Sequence, residues 1–510
     1  MQRQPERLAD ESFDVLIVGG GITGAGVALD ATLRGWRLAL IDKGDFAAGT
    51  SSVSSKLVHG GLRYLEHGEF RLVHEALHER RVLLHNAPHL VRPLKFILPF
   101  YRGFRLPPWK WRLGLALYDL LAGHDNLRRS RPLPLAALRR AAPSLERADL
   151  LGGASYFDAQ MDDARLCLAV LRTAARHGAA VANYVEARSF EQQGGQVAGV
   201  RAVDRVSGKE CSIRARVVVN AAGPWVDAVC RLAGETGGPL LQPTKGAHVI
   251  VPNRAGIASA FLLLHPRDGR VFFVIPWLAE VHAGEAPGAT KLLIGTTDTF
   301  GQEAPDSLTV SPDEVAYLLE GCNRYLQPAL APADVLGSFA GLRPLIRARP
   351  GEPSSLSREF HIAVGPSGLI SVAGGKYTTY RCMAAAVTDA VENRLGRRHR
   401  CRTRDCLLDG APSQSWEEYW PRAVGALRRR GLPESTARHL VQRYGTNADA
   451  VADDLARFPE LAAPVMPGEP DLQVEWRYQR EHEMAVYPAD HLLRRSRLGL
   501  YRPEVLNSRL

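Results

Sequence analysis

The feature that most constrains the fold is a strand–turn–helix–strand pattern near the start of the chain. The apolar run 13–18 has the composition of a buried parallel strand, 22–34 is helical in composition, and 38–41 is a second apolar strand ending in Asp42. Between the first strand and the helix lie three glycines with the spacing G-x-G-x-x-G: Gly19, Gly21 and Gly24.

This spacing has a physical basis in dinucleotide binding. Gly19 permits a tight turn, Gly21 lets the backbone approach a pyrophosphate, and Gly24 lets the helix pack closely on the strand. The N-terminus of the helix stabilises the anion, and Asp42 can bind a ribose hydroxyl. The pattern therefore predicts an α/β, Rossmann-like domain that binds a dinucleotide.

Two later glycine turns indicate which dinucleotide is bound. One apolar strand ends in the sequence Ala-Ala-Gly-Pro around Gly223, and another precedes Gly374 and Gly375. Three strand–turn elements that converge on one cofactor suit the extended FAD better than NAD, and no second fingerprint for NAD(P)H follows. The alternative is that the two later turns are ordinary turns at the edge of a sheet.

Length and composition set the remaining limits. A chain of 510 residues is long enough for two or three domains. Its seven scattered cysteines lack CxxC spacing, so we expect reduced thiols of a cytosolic protein and no metal site. The polar N-terminus does not resemble a signal peptide. The sequence contains no run of about 18 apolar residues, so we expect no transmembrane helix.

Segments along nearly the whole chain, in order, resemble the FAD-dependent, quinone-linked (aerobic) glycerol-3-phosphate dehydrogenases. They read GGGITGAG, TSSVSSKLVHGGLRYLEHGEF, DAQMDDARL, NAAGPWVD, TKGAHVIVP, FVIPW, IGTTD, GLRPL, AGGKYTTYR and EHEMAVYPADHLLRRSRLG. The resemblance implies oxidation of sn-glycerol 3-phosphate to dihydroxyacetone phosphate. In this reaction a hydride passes from C2 to flavin N5, and the electrons then pass to a membrane quinone.

The resemblance also implies a phosphate site, whose expected members are Arg63, Tyr64, Arg343, Lys376 and Thr378. Arginine binds phosphate through a planar fork and tyrosine donates one hydrogen bond. Arg63, Arg343 and Lys376 would supply three cations for a dianionic phosphate. The alternative for Arg63 is a surface pair with Glu66 or Glu69, and for the other two a structural ion pair.

The catalytic residues that the resemblance implies are His248, Arg343 and Lys376. A histidine with a pKa near neutrality suits a general base, so His248 is the first choice. Assistance from Arg343 is the second choice, and the role of His59 stays open. The ordinary alternative for His248 is a histidine satisfied in the core or at the edge of a sheet.

The hydroxyl-rich segment 49–56 suits a loop that lies against the flavin, and Gly60 would then allow close approach to the isoalloxazine ring. Together with the glycine turns, this predicts a set of residues that bind the cofactor. They are Gly19, Gly21, Gly24, Asp42, Thr50, Ser51, Ser55, Gly60, Gly223, Gly374, Gly375 and Thr378.

We expect three domains. The Rossmann-like FAD-binding domain is discontinuous (1–80, 150–240 and 335–395), and an α+β substrate domain comes from 81–149 and 241–334. The last domain, 396–510, reads as helical, with Ser415 and Glu418 in the spacing of a capping box.

The net charge of +10 favours an anionic partner. Segment 105–123 places Trp109, Leu113, Ala116, Leu117 and Leu120 on one helical face, flanked by basic residues, as in a helix that lies in a membrane surface. A helix packed in the core is the alternative. We expect a peripheral protein on the cytoplasmic face of the inner membrane, a homodimer, and no nucleic-acid partner, since no such motif occurs.

Two other functions stay open at this point. One is a flavin oxidase, acting with oxygen on glycerol phosphate or on an amine or amino acid. An amine oxidase would not need three phosphate-binding cations. The other is a non-catalytic flavoprotein with a basic surface.

Overall fold

A computed structural model describes residues 1–103, 107–145, 148–277, 291–300, 303–347 and 360–506; of Arg63 and His67 it describes the backbone only. The described strands, in chain order, are β1 (Ser12–Val18), β2 (Leu38–Ile41), β3 (Leu57–Val58), β4 (Val91–Tyr101), β5 (Arg131–Pro134), β6 (Leu150–Met161), β7 (Ala180–Ala182), β8 (Val185–Gln193), β9 (Gln196–Asp204), β10 (Glu210–Asn220), β11 (Thr244–Pro252), β12 (Ala260–Leu264), β13 (Val271–Pro276), β14 (Lys291–Gly295), β15 (Thr299–Phe300), β16 (Gly337–Arg343), β17 (Phe360–Val364) and β18 (Ile370–Gly374).

The described helices are α1 (Glu6–Asp10), α2 (Ile22–Leu33), α3 (Phe70–Asn86), α4 (Pro108–Ala122), α5 (Leu135–Ala141), α6 (Asp163–Arg176), α7 (Val226–Leu232), α8 (Pro312–Asn323), α9 (Tyr380–Leu395), α10 (Trp416–Arg429), α11 (Glu434–Tyr444), α12 (Ala448–Arg457), α13 (Gln473–Glu483) and α14 (Pro488–Asp490). Short 3-10 turns connect many of them, among them Leu62–His67 and Tyr377–Thr379. The mixture of two sheets with helices confirms the predicted α/β class.

The first sheet has the strand order β17-β18-β10-β1-β2-β7, with β8 and β9 attached through β10. Its centre is parallel: Val15 of β1 pairs with Leu38 on one side and with Val217 on the other. Strand β1 is almost wholly buried because helices cover the parallel part of the sheet, which explains its continuous apolar sequence. Helix α2 packs against α6 and α9 on that sheet.

The second sheet joins distant parts of the chain in the order β15-β11-β14-β13-β12-β4-β6-β3, with β16 on β11 and β5 on β6. Strand β6 pairs along its length with β4, and β16 pairs with β11. Strands β6 and β16 both lie in segments that the sequence assigned to the FAD-binding domain. Hydrogen-bonding partners in a sheet are set by long-range pairing, which local composition does not encode, and the domain boundaries stay a prediction.

The C-terminal helices α10–α13 form their own apolar core and join the first sheet through buried ion pairs. Arg495 pairs with Asp45, just beyond β2, and both side chains are fully buried. Arg165 of α6 pairs with Glu483 at 2.7 Å. Ser415 caps α10 by accepting from the backbone N–H of Glu418, which is one of the two hydrogen bonds of the predicted capping box. The predicted helical end of the chain is thus tied closely to the nucleotide-binding side.

Helix α4 has two apolar faces. One face packs inside, through Trp111, Leu115, Tyr118 and Ala122. The opposite face carries Trp109, Leu113 and Leu120, which are 60%, 63% and 75% exposed. The interpretation of this segment as a helix packed in the core therefore holds for one face, and contact of the exposed face with a membrane stays a prediction. Residues 104–106, including Arg105, lie outside the described part. In the part of the chain that the structure describes, we find no helix both long enough and apolar enough to span a bilayer.

Candidate active site

A cavity of about 720 Å³ opens at the carboxyl ends of the parallel strands β1, β2, β10 and β18. This is the edge of an open α/β sheet where ligands bind. Ten of the twelve residues predicted to bind the cofactor line it: Gly19, Gly21, Asp42, Thr50, Ser51, Ser55, Gly223, Gly374, Gly375 and Thr378. Residues more than 350 positions apart in sequence thus meet at one site.

The turn after β1 has the geometry that its glycines predicted. Gly19 has φ +117°, and a Cβ there would lie 2.5 Å from the carbonyl oxygen of Ala221. A Cβ on Gly24 would collide with the carbonyl of Gly19, so this residue packs the helix on the turn and does not line the cavity. Gly21 faces the cavity, where a Cβ would meet only the Ser51 hydroxyl at 3.2 Å. A larger side chain at Gly21 would fill the space that a pyrophosphate needs.

Asp42 organises the neighbouring backbone. Its two carboxylate oxygens accept hydrogen bonds from the N–H groups of Gly20 (2.7 Å) and Gly44 (2.8 Å). Burial raises the pKa of Asp42 to about 6, although these two hydrogen bonds oppose the shift. Glu186 and Arg205, which sequence reasoning missed, line the same cavity. The glycine motif could not predict these two residues, because they belong to a strand and a turn more than 140 residues further along the chain.

A second, smaller cavity of about 120 Å³ continues from the first. The residues shared by both linings mark their junction: Ser55, Leu57, His59, Tyr64 and Arg343. The glycine turns line the larger cavity, of about 720 Å³, whereas the smaller one has a volume of only about 120 Å³. The junction is therefore where a cofactor and a small substrate would meet.

Arg343 enters this junction from the end of β16. One terminal nitrogen lies 3.1 Å from Asp298, and the other donates to the hydroxyl of Thr296 at 2.8 Å and the carbonyl of Thr297 at 3.0 Å. A Cβ on Gly246 of β11 would collide with this guanidinium. Gly246 therefore makes room for Arg343. The glycine of the TKGAH motif was the signal in the sequence that a neighbouring group comes close at this position.

His248 lies on β11 beside the junction, with its Nε2 2.9 Å from the Ser55 hydroxyl. Its ring stacks on Phe339 at 5.0 Å. Burial, with the charges of Arg343 and Lys56, lowers the pKa of His248 to about 3. The expectation of a pKa near neutrality is thus wrong, because the side chain is only 3% exposed and both nearby charges are positive.

Lys376 and Tyr64 meet at the same place. The Lys376 ammonium lies 3.6 Å from the centre of the Tyr64 ring, a cation–π contact. The hydroxyl of Thr378 lies 3.4 Å from the backbone N–H of His59. The backbone of Arg63 belongs to the same 3-10 turn as Tyr64, but its side chain lies outside the described residues.

Gly60 differs from its predicted role at the flavin. It does not line the larger cavity, and a Cβ there would lie 2.6 Å from both the Tyr118 hydroxyl and the side chain of Leu77. The close approach that this glycine permits is thus to helices α3 and α4, behind the turn. Sequence alone could not distinguish the two sides, because a glycine shows that space is short but not what fills it.

Sequence reasoning also missed the support of the hydroxyl-rich loop. Lys56 is fully buried and pairs with Asp163, at the start of α6, at 2.6 Å. Asp163 also accepts from the N–H and hydroxyl of Ser54. These contacts hold the loop that carries Ser55 against His248. The lysine of the SSK motif was the available signal.

Comparison with known proteins agrees with this architecture. Residues 14–381 match the family described as FAD dependent oxidoreductase, and residues 401–508 match the C-terminal domain of alpha-glycerophosphate oxidase. The open face of Gly21 and the extended cavity fit FAD. The fold and the site therefore define an FAD-dependent oxidoreductase.

Relatives over the whole chain narrow this class. Glycerol-3-phosphate dehydrogenase 2 of Mycobacterium bovis is 39% identical over 98% of this chain and 83% of its own length. The aerobic glycerol-3-phosphate dehydrogenase of Staphylococcus saprophyticus is 35% identical, covering 96% and 87%. The structure of glycerol-3-phosphate dehydrogenase from Bacillus halodurans with FAD superposes with a TM-score of 0.80 at 32% identity, covering 98% of this chain and 89% of that one. The chain belongs to the FAD-dependent glycerol-3-phosphate dehydrogenase family.

Proposed function

We propose that this protein oxidises sn-glycerol 3-phosphate to dihydroxyacetone phosphate and passes the electrons to a membrane quinone. The observation that carries the proposal is the distribution of charge in the larger cavity. Arg343 lines its junction with the smaller cavity and Lys376 lies beside that junction over the Tyr64 ring, whereas the carboxylates of Asp42 and Asp306 are grouped around the glycine turn and Lys43. A cationic junction favours a small anionic substrate, and the relatives' names point to glycerol 3-phosphate.

FAD would be held by the turn at Gly19–Gly21, by Asp42, by Ser51 and by the turns at Gly223 and Gly374. When bound, it supplies the hydride acceptor for oxidation of a carbon that bears a hydroxyl. The hydroxyl oxygen of Ser51 accepts a hydrogen bond from the backbone N–H of Ile22 at 3.0 Å, and this bond holds the first turn of α2 against the cavity. That helix N-terminus would stabilise the pyrophosphate.

Arg343, Lys376 and Tyr64 are proposed to bind the phosphate of the substrate, with Arg63 as a further member of the site. The guanidinium of Arg343 is oriented by Asp298 and Thr296, so its direction is set before substrate arrives. Charge-assisted hydrogen bonds of this kind are about twice as strong as neutral ones. Binding the phosphate would place the C2 hydroxyl near the shared junction.

His248 is the proposed acceptor of the proton from the C2 hydroxyl. Its pKa of about 3 keeps the imidazole neutral at pH 7, so a ring nitrogen is available to accept a proton. A bound phosphate dianion would offset the positive charge of Arg343, one of the causes of that low pKa, and make the imidazole more basic. Ser55 holds Nε2 in place. His59, which lines both cavities, is the alternative acceptor.

The exposed face of α4 supports docking on the inner membrane. Trp109, Leu113 and Leu120 form an apolar surface, and the exposed residues beside it include Lys110 and Arg112. An apolar face with basic neighbours suits an anionic bilayer surface, where a membrane quinone would be reached. This surface favours a quinone over oxygen as acceptor. A homodimer stays a prediction.

The decisive experiment is anaerobic mixing of the purified FAD-bound protein with sn-glycerol 3-phosphate. We expect rapid bleaching of the oxidised flavin band, no bleaching by glycine or other amino acids, and slow bleaching by glycerol. Absence of bleaching by glycerol 3-phosphate would refute the proposed substrate. The reduced protein is then mixed separately with a soluble quinone analogue and with oxygen; faster reoxidation by oxygen would assign an oxidase instead.

The proton acceptor is tested by the same bleaching in two variants. His248→Gln should slow flavin reduction while the flavin content stays normal, and His59→Gln should slow it less. The reverse order would make His59 the acceptor.

A further inference from the structure

A buried polar cluster lies beneath the turn that carries Tyr64, and the proposed mechanism does not use it. Arg80 of α3, Tyr118 of α4 and Asp158 of β6 are 0%, 2% and 2% exposed. A terminal nitrogen of Arg80 lies 2.6 Å from Asp158, and the Tyr118 hydroxyl lies 2.8 and 2.9 Å from the two carboxylate oxygens. The carboxylate therefore fixes the direction of the Tyr118 hydroxyl.

This cluster reaches the substrate side at two points: Asp158 itself lines the smaller cavity, and one backbone group of the turn contacts Tyr118. The N–H of Gly60 donates to the Tyr118 oxygen at 2.9 Å and lies 3.4 Å from Asp158. A Cβ at position 60 would lie 2.6 Å from the Tyr118 oxygen, so a glycine is needed for this approach. His59 and Tyr64, on either side of this glycine in sequence, both line the junction of the two cavities.

We propose that Tyr118 is a positioning residue for substrate binding: held by Asp158 and Arg80, its hydroxyl anchors Gly60 and thereby places the His59–Tyr64 turn at the junction. Tyr118 touches neither cavity, since neither lining contains it, so it acts through the turn. The inference rests on the proposed function, because the affected step is binding of glycerol 3-phosphate. The turn is thus built on α4, on the face opposite Trp109 and Leu113.

The test compares Tyr118→Phe with the unmodified FAD-bound protein. The substitution keeps the ring packing and removes only the hydroxyl. We expect KM for glycerol 3-phosphate to rise roughly two- to tenfold, the effect of one hydrogen bond, with kcat nearly unchanged. Tyr325→Phe is the matched control: it removes a buried hydroxyl bonded to the carbonyl of Leu264, and Tyr325 lines neither cavity. It should leave KM unchanged.

A second measurement does not depend on the substrate. Hydrogen exchange of the peptide covering 57–66 should be faster in Tyr118→Phe, because the N–H of Gly60 loses its nearer acceptor. Unchanged exchange together with unchanged KM would overturn the inference. If glycerol 3-phosphate fails to bleach the flavin, the proposed function is wrong, but this exchange still decides whether Tyr118 anchors the turn.

A double-mutant cycle isolates the contact. Gly60→Ala alone should raise KM strongly, because its Cβ meets the Tyr118 oxygen. In the Tyr118→Phe background the same substitution should cost less, since that oxygen is gone, but it should still raise KM because the contact of the Cβ with Leu77 remains. Strictly additive effects would show that position 60 and the Tyr118 hydroxyl do not act together, and would overturn the inference.

Discussion

Replacing Arg343 by methionine should strongly reduce the oxidation of glycerol 3-phosphate while changing the stability of the folded protein little. The side chain is partly buried at the junction of the two cavities, where it is oriented by Asp298 and Thr296. Methionine keeps most of the volume but removes the charge and the fork of donors. Flavin content should stay normal, because the cofactor cavity is also formed by many other residues.

The magnitude follows from the lost interaction. A hydrogen bond between a guanidinium and a phosphate contributes about 1.5–3 kcal/mol. At about 1.4 kcal/mol per factor of ten, kcat/KM should fall roughly 10- to 100-fold or more. Arg343→Lys should recover part of this, since an ammonium cannot bind two phosphate oxygens in the same planar geometry.

The assay compares glycerol 3-phosphate with glycerol, which lacks the phosphate, in the unmodified protein and in Arg343→Met. Glycerol oxidation, already slow, should hardly change. Arg324→Met is the control, because that arginine pairs with Asp149 in the same part of the molecule and lines neither cavity. An equal loss for both substrates would refute phosphate binding and make Arg343 a residue that orients the fold or the flavin.

Three further predictions follow from the site and the surface. Gly21→Val should abolish FAD binding, because the side chain would fill the pyrophosphate space; full flavin absorbance in the purified variant would contradict this. Burial, the largest cause in each case, lowers the pKa of three histidines to about 3: His89, His248 and His491. The unfolded chain takes up a proton on each of these histidines near pH 6.5, whereas the folded chain does so only near pH 3. The free energy of unfolding should therefore fall as the pH is lowered from 6.5 to 3, by at most about 1.4 kcal/mol per pH unit for each histidine. Urea titrations at several pH values check this, and a free energy of unfolding that does not change with pH would count against it. Replacing Trp109 and Leu113 by Asp should reduce sedimentation with anionic vesicles, whereas Phe300→Asp, at another exposed site, should not; equal sedimentation of all three proteins would rule out docking through α4.

The nucleotide-binding unit was predictable because its information is local. The sequence indicated a strand at 13–18, a helix at 22–34 and a strand at 38–41, and the structure has Ser12–Val18, Ile22–Leu33 and Leu38–Ile41. Apolar runs, helical composition and a glycine turn each depend on neighbours within a few residues. The cofactor class followed from this fingerprint together with the two later glycine turns, around Gly223 and at Gly374 and Gly375.

The exposed face of α4 was also visible in the periodicity of its sequence, but the periodicity did not show that a second face is buried. Trp111 and Leu115 differ little in type from Trp109 and Leu113. Only the packing of α4 against α3 and the second sheet decides which face is covered. An apolar side chain in the sequence thus indicates a surface that favours burial, but it does not show which other part of the protein covers that surface.

The properties that depend on distant contacts were decided by tertiary structure alone. The pKa of His248 is low because folding buries it beside Arg343 and Lys56, which are far from it in sequence. Gly60 serves the Tyr118 contact and not the flavin cavity, because the turn happens to face α4 at that point. Burial, charge and close approach are properties of the space around a residue, so sequence determined which chemical groups were present and the fold determined what each of them meets.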